Sequence, residues 1–562
     1  MKEQRALSTR VRKNWDLWLF FLLLAALAVL LFRKCRYGFA NIDEAFYLTI
    51  PLRLIQGDQL MLHEWHLSQL SGFLLTPILR LYLLLAGTTE GMLLAFRRIY
   101  TLVQLLAALA IFFVLRPSSK PGALIGALLW CVYAPFGIMA LSYNSMGILF
   151  VTLSILLHFR GEKPGLLILS GVLFACAVLC CPFLCLVWMA YAFQVLLWPR
   201  LRRASWRPDV RKFAFFTLGI AGMATVFLFF LFRRLSPGHL LEILPLVLKD
   251  PEHGFAPVYK FRTFLAFLFL CGRYGCGIAF GYCALTLAGL LCKRGGGKTL
   301  CVMGVFLLCA FHLWAMIQTY GYINYLMPPL CYAACACVLI RREETLKPIF
   351  YGLLLPCLLY VPCLQLSSNQ LDFAMSSAFA AAIPAAAVIL ACSVKAEPRP
   401  GLRRAAAAAL AGLLLFQGGA QLHYRWNWIF WEGEPEEQTV LLREGPEAGL
   451  LVSEKKAELY EPRFRELQRL NSREKLLFLS ENTWFYLCGD WENAAFSAWL
   501  SGVNEVSVDK LMSYYRVNPD KVPDLIYVEN PGDLGYAQPL MSEYGFRVVQ
   551  STQLGAQLLR RG

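Results

Sequence analysis

Two adjacent carboxylates, Asp43 and Glu44, stand near the start of NIDEAFYLTIPLRLIQGD, the stretch from Asn41 to Asp58 that follows a very hydrophobic run from Trp15 to Phe32. The pattern allows two uses. Asn41 is placed as an N-cap, with Glu44 at the third helical position reaching back to it, as in a capping box. Asp43 would then favour the positive end of the helix dipole. Neighbouring helical residues also point about 100° apart, so one acid can serve the cap while the other faces a cavity. A carboxylate in a partly desolvated pocket has a raised pKa and suits general-base work near neutrality.

A second polar group follows in HEWH, with His63, Glu64 and His66. Two histidines three residues apart share a helical face and, with an acid, could hold a divalent cation. The spacing is not the four-residue one of the zinc proteases, and ordinary polar loop residues or substrate contacts fit the same pattern. His312 lies inside a long apolar run, where an ionisable side chain marks function or a hydrogen bond to a neighbouring helix. Nineteen cysteines suggest no disulfide framework. Most lie in apolar runs as packing residues, and Cys35 and Cys488 are the clear exceptions.

The elements that must position these groups are mostly membrane helices. The 562 residues are 58% hydrophobic and 16% charged, against roughly 25% charge in soluble domains. Apolar runs of about 18 residues or more, enough to cross a bilayer, recur from Trp15 to Gly419, and about thirteen helices are expected. The first lacks a cleavage site and reads as a retained span. The net charge of +16 is no nucleic-acid signal, because the basic residues sit in short clusters between apolar runs. The clusters KEQRALSTRVRK, RPSSKP, RGEKP, PRLRRASWRPDVRK, KRGGGK, RREETLK and KAEPRPGLRR fall on one side. The positive-inside rule makes that side cytoplasmic. The N-terminus is then cytoplasmic, and the segment after Gly419 is extracellular or periplasmic.

Two outer loops, about 33–97 and about 233–262, are too large for simple turns. The first holds two apolar stretches, Ala45–Ile55 and Gly72–Leu85, expected to lie along the interface. The fold class is therefore mainly α, a polytopic α-helical membrane domain over residues 1–420. A small external α/β domain is expected over 421–562. There KLLFLSE and DLIYVEN read as buried strands, and PRFRELQRL and VDKLMSYY as helices. The tail has no glycine-rich phosphate loop and reads as a lid, acceptor-docking or partner module.

The long first outer loop, the acidic pair after span one and the external C-terminal domain together resemble the GT-C glycosyltransferases. The arrangement is similar to protein O-mannosyltransferases, aminoarabinose transferases of lipid A and Rgt-type lipopolysaccharide core transferases. The residues that carry the likeness are IDEAFY at Ile42–Tyr47 with Gly57–Asp58, TPILRLYLLLAG at Thr76–Gly87, Arg97 and Arg98, and INYLMPPL at Ile323–Leu330. It spans roughly residues 15–420. The Lys-Pro-Pro motif of many bacterial members is absent from the first loop, where HEWHLSQLSG stands.

The resemblance implies an inverting transfer of a sugar from a polyprenyl-phosphate donor to a lipid, glycan or protein acceptor at the outer leaflet. Asp43 would be the base, with Glu44 orienting the acceptor or the helix. Arg97 or Arg98, Lys260, Arg262 and Arg273 would stabilise the leaving lipid phosphate; for each arginine, snorkelling to the interface is the more ordinary explanation. Tyr320, Tyr322, Asn324 and Tyr325 would line the sugar site or form an aromatic belt. Two rivals remain. A transporter or flippase would more often show broken midplane helices and paired half-repeats. A polymer ligase would more often carry its chemistry in a loop between later spans.

Overall fold

The computed structural model describes residues 14–40, 42–196, 209–249, 258, 260–263, 274–367, 371–429, 431–470, 474–500 and 502–562. The protein is mainly helical. Among the described residues, eight helices are long and apolar enough to cross a membrane, from Trp15–Lys34 and Met92–Leu115 to Phe373–Lys395 and Pro400–Asn427. Six further apolar helices are shorter, 10 to 17 residues each.

The difference from the expected thirteen long helices has local causes. Lys120–Val132 stops where the chain turns extended at Tyr133 and enters a short 3-10 turn at Pro135. Pro164–Cys180 stops at Cys181, also extended, because Pro182 begins a new turn; the residue before a proline is biased away from helix. At 1.5 Å per residue a 13-residue helix is only about 20 Å long.

The Asp43–Gln56 helix is enclosed by protein over most of its length. Every residue from Glu44 to Arg53 is buried. The Leu70–Ala86 helix packs on one side of it and the 3-10 turn Thr483–Leu487 on another. Leu70–Ala86 itself exposes Leu81, Leu84 and Leu85.

The C-terminal part holds a short antiparallel hairpin, β1 (Val440–Leu441) and β2 (Leu451–Val452). It also holds a five-stranded sheet of β3 (Lys475–Leu479), β4 (Glu492–Asn493), β5 (Leu525–Val528), β6 (Phe546–Ser551) and β7 (Gln557–Arg561). The strand order is β4-β3-β5-β7-β6. β3 runs parallel to β4 and β5, while β7 is antiparallel to β5 and β6. The strands β3, apolar after Lys475, and β5, buried throughout, lie inside the sheet, as strands covered on both faces are rich in apolar residues. Helices Glu454–Gln468 and Glu505–Val517 accompany them.

First loop and sheet share one hydrophobic core, in which Phe46, Trp65 and Met92 are grouped with Leu477, Phe485 and Tyr514. Main-chain bonds join them. Gly38 N donates to Leu451 O at 2.8 Å, Leu93 N to Pro446 O at 3.1 Å and Trp65 N to Phe496 O at 2.8 Å. The expected boundary near residue 420 falls inside the helix Pro400–Asn427. The chain beyond that helix is clamped by two glycines. A Cβ on Gly38 (φ +70°) would lie 2.3 Å from Ile429 Cγ2, and one on Gly137 (φ +75°) 2.6 Å from Trp428 Cδ1. Only glycine offers both the left-handed backbone and the space.

Candidate active site

The two adjacent acids have separate fates. Glu44 turns inward, where Arg97 grips both its oxygens, Nε to Oε1 at 2.5 Å and Nη2 to Oε2 at 2.6 Å. Each side chain is only 4% exposed. Arg97 Nη1 also donates to the carbonyls of Cys35 and Tyr37, at 2.9 and 3.2 Å. One guanidinium thus fastens the end of the first long helix, the first-loop helix and the Met92–Leu115 helix. Glu44 does not cap: the residue flanking the helix is Ile42, with no side-chain cap, and Asn41 lies outside the described residues.

Asp43 turns the other way and is half-buried. Tyr47, one turn later, donates its hydroxyl to Asp43 Oδ1 at 3.3 Å. The Tyr47 ring meets Tyr143 edge-on at 6.0 Å. Burial pushes the Tyr47 hydroxyl pKa well up, and the nearby Asp43 charge adds to the shift. Tyr322 is pushed up too, by burial first and also by Asp43. The Tyr322 ring stands edge-on to Phe373 and to Trp428, each at 4.6 Å. Asp43 therefore looks into an aromatic, tyrosine-rich space in which both neighbouring hydroxyls stay protonated.

Tyr325 serves the packing, stacked on Tyr320 at 3.9 Å. Asn324, fully buried, accepts from Tyr133 Oη and from Phe136 N, both at 2.9 Å, and donates to Phe373 O at 3.1 Å. It locks the turn that carries Tyr322. His312 stacks on Tyr332 with ring centroids 5.8 Å apart.

The HEWH residues do not converge on one point. Glu64 is fully buried and accepts from Arg53 Nη1 at 2.8 Å and from His66 N at 3.0 Å. Burial raises its pKa, with Arg53 opposing. His63 Nδ1 accepts from Gln59 N at 3.0 Å. His66 Nδ1 pairs with Ser68 Oγ at 2.8 Å. Among the described residues no group of three or more His, Cys, Asp or Glu is arranged to hold a metal ion. The His66 ring instead stacks on Trp499 of the C-terminal part at 5.6 Å and meets Phe46 at 4.5 Å. Phe46 lies three residues along the Asp43–Gln56 helix from Asp43.

Arg53 organises a larger ion network. It binds Asp58 at 2.7 Å and Glu64 at 2.8 Å. Asp58 also pairs with Lys521 at 2.5 Å, and Lys521 pairs with Glu492. Burial pushes the Asp58 pKa up, but Arg53 and Lys521 outweigh it and hold the carboxyl below its usual range.

Among the described residues Arg97 is the expected cation paired with Glu44. Lys260 is buried and donates to Leu366 O at 3.0 Å. Arg262 and Arg98 are exposed, and Arg273 lies outside the described residues. Two cations beside the site were missed. Lys34, 2% exposed, donates to Trp426 O at 2.5 Å. Arg425, also 2% exposed, donates to Gln104 Oε1 at 3.2 Å. The signal was present as Gln417, Gln421 and Arg425, polar residues at four-residue spacing on one face of a largely apolar helix. Lys34, Glu44, Arg97 and Trp428 line one small cavity.

No protein-family model, curated protein or solved structure matches this chain.

Proposed function

We propose that the protein is an integral membrane glycosyltransferase that moves a sugar from a polyprenyl-phosphate donor to a lipid, glycan or protein acceptor. The observation that carries this reading is the division of labour within the acid pair. Glu44 is spent on Arg97, and Asp43 faces a half-buried space among Tyr47 and Tyr322.

The chemistry follows from that placement. Asp43 accepts the proton of an acceptor hydroxyl as its oxygen attacks the anomeric carbon. The bond from that carbon to the phosphate oxygen breaks, and its electron pair leaves with the lipid phosphate. Attack opposite the leaving group inverts the configuration. The stacked pair His66 and Trp499 offers a ring surface on the acceptor side, where the C-terminal part meets the first loop.

In this reading the first loop and the C-terminal part face the outside, and the basic clusters face the cytoplasm. A charged nucleotide sugar, made in the cytosol, does not reach such a site, which is why the donor is lipid-linked. Purified protein with polyprenyl-phosphate sugar should transfer labelled sugar to an acceptor, or slowly to water. Robust turnover with a nucleotide sugar and no lipid carrier would overturn the reading.

A further inference from the structure

Lys34 and Arg97 line the small cavity beside Glu44, Arg425 lies near both and Lys456 near Arg97, and these four cations are not equivalent. Arg97 is paired with Glu44, and Lys456 with Glu432. Lys34 and Arg425 have no carboxylate within ion-pair distance among the described residues. Lys34 closes the first long helix and Arg425 lies in the last turn of Pro400–Asn427, so the two helices bring them to the same end of the bundle. The single hydrogen bond of Lys34 goes to a main-chain carbonyl. Arg425 gives Nη2 to Gln104 and sets its guanidinium 5.9 Å from the Tyr100 ring centroid, while its Nε and Nη1 are buried with no hydrogen-bond partner.

Burying a charge without a counter-charge is unfavourable, and buried donors are nearly always matched. A protein that needed only packing here would place apolar side chains. Among the described residues Arg341 is another buried arginine with unmatched donors, but two carboxylates, Glu397 and Glu343, act on it, whereas one, Glu436, acts on Lys34 from beyond ion-pair distance. Space adjoins the Lys34–Arg425 pair on both sides. Lys34 lines the cavity shared with Arg97, and both Arg425 partners, Gln104 and Tyr100, line a second.

We propose that Lys34 and Arg425 form a buried oxyanion site that takes the phosphoryl group of a phosphate ester. Guanidinium and ammonium are the donors suited to that chemistry, and Arg425 keeps two buried donor nitrogens unmatched for it. A prenyl phosphate, a phospholipid headgroup and free phosphate share this chemistry. The prenyl assignment rests on the glycosyltransferase reading above; the site itself does not.

The test uses the full chain in detergent and follows thermal unfolding and equilibrium binding. The probes are polyprenyl monophosphate, the polyprenol of equal length, phosphatidylglycerol in mixed micelles, and inorganic phosphate. Polyprenyl monophosphate should raise the melting temperature and polyprenol should not. Arg425→Gln and Lys34→Met should each weaken phosphate-dependent binding at least about tenfold, the loss of one charge-assisted contact, with partial rescue in Arg425→Lys. If phosphatidylglycerol or inorganic phosphate acts as well as the prenyl phosphate, and Arg425→Gln removes that effect, the site stands with a different source. If polyprenyl monophosphate binds no better than polyprenol to the wild type, or if the folded Arg425→Gln protein binds every phosphate probe undiminished, the proposal fails. Should the variants not fold, the wild-type comparison of phosphate with alcohol decides. Phosphate-dependent binding without sugar transfer would sink the transferase reading alone. Transfer by an Arg425→Gln protein with an unchanged donor KM and undiminished binding of every phosphate probe would sink the site alone.

Discussion

Arg97 holds Glu44 through both carboxylate oxygens, at 2.5 and 2.6 Å, in a pair 4% exposed on each side. Asp43, one residue earlier, meets a tyrosine hydroxyl instead. Substitution should separate the two. Removing one partner of a buried ion pair strands the other and costs about 3–5 kcal/mol. Glu44→Gln should therefore lower the melting temperature and the folded yield. Asp43→Asn should melt within a degree or two of wild type, yet lose about 10²–10⁴-fold in transfer rate, the usual contribution of a general base. Thermal melts beside radiolabelled transfer assays read both. A fully active Asp43→Asn enzyme would remove Asp43 from the chemistry.

Lys521 is a comparable case across the first loop and the C-terminal sheet. It is 4% exposed and bonds both Asp58 and Glu492. Lys521→Met keeps the aliphatic stem and removes the charge, at a cost of about 2–3 kcal/mol. The Asp58 pKa is held below its usual value, so its stabilisation is present above the unfolded pKa of 3.8 and is lost as pH falls through the lower folded value. Without Lys521 that folded value rises, and acid unfolding should begin at a higher pH. An acid titration followed by tryptophan fluorescence checks this, and superimposable curves would contradict it.

Glu447 should produce the opposite slope. It is fully buried, accepts from Tyr460, and its second oxygen has no partner. Burial pushes its pKa from 4.5 up to about 8. Below pH 4.5 the group is protonated folded or unfolded, and its contribution is fully present. Between 4.5 and about 8 the unfolded chain ionises first, so stability falls as pH rises. Glu447→Gln keeps an acceptor for Tyr460 without the titration. Its melting temperature should exceed that of wild type at pH 8.5, and the gap should close toward pH 5. Parallel curves for the two proteins would rule out the shift.

The proposed sidedness is open to labelling. Cys488 is buried and unsuited as a reporter. Lys455 and Lys163 are both exposed. An impermeant maleimide on intact cells should mark Lys455→Cys above the wild-type background, and Lys163→Cys only after the membrane is opened. The reverse pattern would invert the topology.

The cores of β3 and β5 were legible as short apolar runs, as was the helix around Asp43, because local burial writes itself into local pattern. The partners of the charged residues were not. Glu44 and Arg97 are 53 residues apart, and nothing in either neighbourhood names the other. Lys34 and Arg425 stand at helix ends, where basic residues ordinarily mark a bilayer boundary. The enclosure of the Asp43–Gln56 helix was hidden for the same reason: its cover comes from the 3-10 turn Thr483–Leu487, far along the chain. HEWH suggested a metal by composition, but Glu64 belongs to Arg53.

The Asp58–Lys521 pair joins residues 463 positions apart. A ribosome adding about 5–20 residues per second needs roughly half a minute to a minute and a half to make that stretch. Throughout that interval Arg53 alone faces two carboxylates, Asp58 and Glu64, and the apolar residues of the first loop lack their cover. The nascent chain therefore carries a timer. Until its last hundred residues emerge, it presents an unfinished surface that chaperones and proteases recognise, so the fold itself certifies that translation ran to completion. Chains ended at residue 430 should consequently be cleared several-fold faster than full-length protein in a pulse-chase experiment, and equal half-lives would show that the first loop closes without the tail.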